Sequence, residues 1–146
     1  MTAARIGAGP RWGLRRQGDH DLFVHDLRLA VNFFTRLKGL QFRSSLPSRQ
    51  ALLLAPCSSV HTLFLRFPLD LVFLDRSGTA VGVYRNVAPW KLLVAPPRGS
   101  ASFAVLETNP GEHSLVRGDR VELVALGGLA SSPPQSLISF PVAPEC

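Results

Sequence analysis

Short apolar runs, each four to eight residues long and separated by turn residues, fill the chain from Leu22 to Leu126. Runs of that length with intervening Gly, Pro, Asn and Asp predict β-strands. They fall at Leu22 to Leu29, Ala51 to Ala55, Val60 to Arg66, Leu69 to Leu74, Thr79 to Arg85, Ala101 to Glu107 and Arg120 to Leu126. Asp75-Arg76-Ser77-Gly78 predicts a tight turn that joins two of them as a hairpin, and Asn109-Pro110-Gly111 and Arg117-Gly118-Asp119 predict two more turns. Pro68 has no N–H to donate, so it belongs at a strand start or a corner. The period changes only between Ala30 and Lys38. There Ala30, Phe33, Phe34 and Leu37 recur at helical spacing, and Gly39 follows as a helix stop. About seven short strands and one short helix predict a mainly β domain, a small antiparallel sandwich or barrel with the helix over an open face.

Composition divides the chain. Residues 1–19 are rich in Gly and Arg with little periodicity, which predicts a flexible basic arm. Residues 127–146 have the Pro/Ser composition of a tail, and residues 20–126 form the domain. The formal charge is +6 and the pI about 10.6. The cations are scattered and aromatic residues are few, which does not favour a specific nucleic-acid surface. No run reaches the length of a membrane span, and the N-terminus lacks an apolar signal core, so a cytoplasmic location is expected. Cys57 and Cys146 cannot build a disulfide framework.

The stretch from Val60 to Asp75, VHTLFLRFPLDLVFLD, carries His61, Arg66 and Asp70 inside an apolar run. Each of these groups needs a partner, solvent or a ligand. Trp90 follows Pro89 in a loop, where it is either a lid on the core or a stacking platform. Glu107 ends an apolar strand before a Pro-Gly turn. His61, Arg66, Asp70, Trp90 and Glu107 are therefore the candidate binding residues, for a small polar or anionic ligand or a protein partner. A second reading is a hydrolase or transferase, with His61 held by Asp70 as general base and Cys57, Ser58, Ser59 or Thr62 as nucleophile. It lacks any recognisable nucleophile motif. Cys57 and His61 are four residues apart, with possible third ligands His20, His25, His113 or Asp70 only at a distance, so no metal or other cofactor is implied.

Several of these pieces stand in a known order. They are Arg36-Leu37-Lys38-Gly39-Leu40, Leu46, Pro56-Cys57, the Val60–Asp75 stretch, Pro89-Trp90, Val105-Leu106-Glu107 with Pro110-Gly111, and Gly118-Asp119. Over about residues 22–125 the chain resembles the DUF 192 family (domain of unknown function 192, also called UPF 0127), in a short form without a signal segment. The resemblance implies a compact, mostly antiparallel, jelly-roll-like fold with one helix. It implies no catalytic residues. It also carries the expectation of an accessory role linked to pilus, secretion or envelope systems. Leu65 stands where the family usually has Met, a swap that conserves volume and points to packing.

Overall fold

The computed structural model describes residues 11–30, 45–60, 62, 65–91 and 93–127. Within them the fold is mainly β. Seven strands run in chain order: β1 (Arg11–Arg16), β2 (Val24–Ala30), β3 (Gln50–Leu54), β4 (Leu69–Leu74), β5 (Ala80–Val87), β6 (Ala104–Thr108) and β7 (Val121–Gly127). They form one sheet in the order β5-β4-β6-β3-β2-β1-β7. Every neighbouring pair is antiparallel except β2 and β3, which run parallel. The sheet is therefore mixed, where an antiparallel one was expected. Parallel neighbours need a crossover connection, and residues 31–49 join these two. The helix predicted over Ala30 to Lys38 lies outside the described residues apart from Ala30, which ends β2. No helix among the described residues is long and apolar enough to cross a membrane.

One face of the sheet is a continuous apolar surface. Trp12, Leu14, Leu27, Leu53, Leu106, Val72, Leu74, Ala80 and Leu123 pack there into a single cluster, drawn from all the inner strands and both ends of the order. The sheet curls around it. The two edge strands touch only at their starts, where Thr79 bridges Arg120 and the Val121 N–H donates to the Gly78 carbonyl at 2.9 Å. They do not pair along their lengths, so the sheet stays open. The outer face carries a second cluster over β4 and β6, with Leu69, Leu71, Phe73 and Val105 beneath Leu46, Val60 and Leu65.

Two further expectations are corrected. Residues 11–16, read as part of the basic arm, form β1, which lies between β2 and β7 with Trp12 and Leu14 buried. Gly13 allows this close approach, because a Cβ there would sit 2.7 Å from the Val24 carbonyl oxygen. The second concerns Val60 to Arg66, whose described residues, Val60, Thr62, Leu65 and Arg66, belong to no strand of the sheet. Both edges of β4 are already taken, by β5 and β6. The segment instead meets the 88–94 loop, through a Val60–Val94 bridge.

Candidate functional site

β4 alternates Leu69, Leu71 and Phe73 outward with Asp70, Val72 and Leu74 inward, so Asp70 is a carboxylate on the apolar inner face. It is 1% exposed and fully engaged. Oδ1 accepts the Asn86 N–H at 2.7 Å, and Oδ2 accepts the Gly111 N–H at 3.2 Å. His113 Nε2 lies 3.1 Å from Oδ2, and Arg85 stands 3.9 Å away. The His113 Nδ1 accepts the Leu115 N–H at 3.1 Å, which places the ring proton on Nε2. The Nε2–H direction misses the carboxylate oxygen, so the contact is electrostatic rather than an aligned hydrogen bond. Burial holds the imidazole pKa below its ordinary value, against the opposing pull of Asp70.

This group is a knot. It ties β4 to the irregular end of β5, where Asn86 has φ 53°, and to the 109–113 turn. Asp70→Ala would take away the acceptor of the Asn86 and Gly111 N–H groups and the carboxylate that faces the buried His113 ring. The expected loss is about 3 kcal/mol in chemical denaturation. An unchanged denaturation midpoint would show that these contacts contribute nothing net.

Glu107 faces the other way. On β6 it stands between Leu52 of β3 and Leu71 of β4, on the outer face. It is buried, and its Oε1 has no hydrogen-bond partner among the described residues. Burial pushes its pKa up to about 8, which keeps the carboxyl protonated at neutral pH. Asp70 and Glu107 are thus on adjacent strands but on opposite faces, and they form no common site.

The outer overlay is pinned by Thr62, which is fully buried. Its N–H donates to the Lys91 carbonyl at 2.9 Å, and its carbonyl accepts the Trp90 N–H at 2.7 Å. Its hydroxyl donates to the Ala88 carbonyl at 2.9 Å and accepts the Lys91 N–H at 2.7 Å. These bonds grip both sides of Trp90, which adopts φ 68° and is 61% exposed. A left-handed backbone is an outlier for so bulky a residue, and it persists only where the surroundings enforce it. Leu93, on the same loop, is 67% exposed. Sequence reasoning weighed Thr62 only as a nucleophile and passed over Leu93. A buried Thr inside an apolar run was the available signal.

Of the remaining candidates, His61 lies outside the described residues and Arg66 is an exposed cation at the bend before β4. The structure therefore does not bring Asp70, Trp90 and Glu107 into one cluster. Asp70 accepts the Asn86 and Gly111 N–H groups and lies beside His113, all of them outside the 60–66 segment. Cys57 donates its Sγ–H to the Ser59 carbonyl at 3.1 Å. Among the described residues no group of three or more His, Cys, Asp or Glu side chains could hold a metal ion.

The comparison with known families agrees with this architecture. The model of the DUF192 family, described as Uncharacterized ACR, COG1430, matches residues 14–123. The chain belongs to that family. The match begins inside β1 and ends inside β7, so this DUF192 domain takes in the strand at first read as an arm. No curated protein matches the chain. Two crystal structures share the DUF192 fold seen here. One is a protein of unknown function from Novosphingobium aromaticivorans DSM 12444, with TM-score 0.65, 22% identity and coverage of 83% of this chain and 97% of that one. The other is from Sinorhizobium meliloti 1021 and is provisionally named a transcription regulator, with TM-score 0.63, 23% identity and coverage of 78% and 92%. At these identities the likeness shows the fold alone.

Proposed function

We propose that this DUF192 protein is a non-enzymatic binding module that engages a protein partner through the Trp90 loop. The reading rests on one observation, an exposed tryptophan held in a left-handed backbone by the Thr62 clamp. A rigid, displayed Trp is a common anchor of protein interfaces, because it buries a large area at little entropic cost. Leu93 enlarges the apolar patch, while Lys91 and Arg66 are exposed cations on the two segments that form the overlay. A partner presenting an apolar pocket with an acidic rim fits that chemistry. The setting expected from the family resemblance, a pilus, secretion or envelope system, would supply such partners.

The hydrolase or transferase reading is less favoured because Asp70 already serves the Asn86 and Gly111 N–H groups and His113. A nucleic-acid role is not favoured either. Arg15 pairs with Glu122, Arg16 with Asp19 and Asp119, and Arg28 with Asp26, which neutralises much of the basic N-terminal region.

The test places a photo-crosslinking amino acid at position 93 in the full chain in cells. A discrete adduct is expected, and Trp90→Ala should remove it while leaving the melting temperature nearly unchanged. An adduct pattern indifferent to Trp90→Ala would refute the proposal.

A further inference from the structure

After the Asn109-Pro110-Gly111 turn the chain buries two side chains, His113 at 8% exposure and Leu115 at 1%. Leu115 belongs to the inner apolar cluster. A local bond fastens it there. His113 Nδ1 accepts the Leu115 N–H at 3.1 Å, so the imidazole does what an asparagine does in an Asx-turn, capping the N–H two residues on. Arg85 donates to the Leu115 carbonyl at 2.6 Å. Downstream, the Val116 N–H donates to Asp119 Oδ2 and the Asp119 N–H donates to the Val116 carbonyl, both at 3.0 Å, which closes the next turn. His113 is thus the upstream fastening of the 113–116 segment.

That fastening depends on charge. A neutral imidazole accepts at one nitrogen, and an imidazolium accepts at neither. A second proton turns Nδ1 into a donor that faces the Leu115 N–H, and no orientation of the charged ring gives that N–H an acceptor. The same proton places a full positive charge 3.1 Å from Asp70 Oδ2. Protonation therefore draws the ring towards Asp70 and ends its hold on Leu115. Burial is the largest influence on the ring and opposes the second proton, so that proton enters below the ordinary imidazole value. Among the described residues the charged groups facing the ring are Asp70 from β4, which favours the proton, and Arg85 from β5, which opposes it. Phe23, from the segment before β2, adds an uncharged ring with its centroid 6.2 Å away. Glu112, the neighbour in sequence, is engaged by Ser48 and Arg49 instead.

We propose that His113 is an acid-sensitive latch, in which one added proton on Nδ1 releases the Leu115 N–H and loosens the 113–116 segment from the inner cluster while the sheet stays folded. Val116 is 57% exposed, so release of Leu115 beside it presents an apolar pair to solvent only on acidification. The latch does not depend on the role proposed for the Trp90 loop. The test is a nuclear magnetic resonance titration of the isotopically labelled full chain, from about pH 8 downward. It follows the His113 ring nitrogens, the Leu115 amide and the Asp70 carboxyl carbon. At neutral pH, Nδ1 is expected to be the unprotonated nitrogen. On acidification the Leu115 amide shift should move with the midpoint of the His113 ring, and its protection from hydrogen exchange should fall about tenfold. Amides of β4 and β6 should stay protected through that step. His113→Asn puts an oxygen acceptor that does not titrate near the Nδ1 position, and should keep Leu115 protected throughout. A His113 ring that stays neutral until the whole sheet unfolds would overturn the proposal. So would a Leu115 amide that follows Asp70 instead of His113, or the same acid-induced loss of protection in a folded His113→Asn protein. If that variant does not fold, the wild-type midpoints decide alone.

Discussion

Glu107→Gln is expected to flatten the pH dependence of folding stability between about pH 4.5 and pH 8. In the folded chain the buried carboxyl keeps its proton up to about pH 8, whereas its ordinary value is 4.5. Across that window the folded state holds a proton that the unfolded state has released, so stability falls as pH rises. The contribution is fully present below the unfolded pKa and is lost as pH climbs through the folded one. Each pH unit costs about 1.4 kcal/mol, and the whole window is worth on the order of 4–5 kcal/mol. The buried His113 works in the opposite sense. Its lowered pKa favours the neutral ring in the folded state, so its contribution weakens as pH drops below the ordinary imidazole range. The difference between wild type and Glu107→Gln cancels that term. Urea denaturation of both proteins at several pH values reads the slope directly. Parallel curves would mean that Glu107 finds a partner or water when it ionises.

Removing residues 1–18 is expected to abolish cooperative folding. β1 is hydrogen-bonded to strands on both sides, so its loss strips β7 from the sheet and leaves an unpaired edge on β2. It also removes Trp12 and Leu14 from the inner cluster. Trp12→Ala alone should cost about 3–5 kcal/mol, since the side chain is 3% exposed. Thermal melts followed by circular dichroism distinguish the outcomes. A truncated chain that melts cooperatively near the full-length temperature would show β1 to be an appendage to a self-sufficient six-stranded sheet.

The contrast between β1 and β4 shows what kind of information is local. β4 was legible to the residue, because six consecutive apolar or alternating positions stand between Pro68 and an Asp-Arg-Ser-Gly turn. β1 reads RWGLRR, with only two large apolar side chains among arginines and a glycine. Nothing in it announces a strand. It becomes one because β2 and β7 offer two free edges and because Gly13 lets the backbones come close.

The candidate site divides in the same way. That Asp70 and Glu107 are unusual follows from finding carboxyls in apolar strands. That they serve opposite faces follows from register, with Leu71 opposite Glu107 and Asp70 opposite Thr108. A shift of one residue would have put them together. His113 was noticed only as a distant ligand candidate, since its approach to Asp70 depends on how the 109–113 turn folds back. The Thr62 clamp on Trp90 joins segments 26 residues or more apart, and such pairings leave no mark in either segment alone.

By itself, the sequence determined the mainly β character, six of the seven strands to within a few residues, the tight turns and the family, because alternation, turn chemistry and motif order are all carried by neighbouring residues. Only the tertiary structure decided the parallel β2–β3 pair, the enrolment of β1, the exclusion of Val60, Thr62, Leu65 and Arg66 from the strands of the sheet and the separation of Asp70 from Glu107. Each of these depends on which strand edges are already occupied and which face is already covered, and those are properties of the assembled sheet.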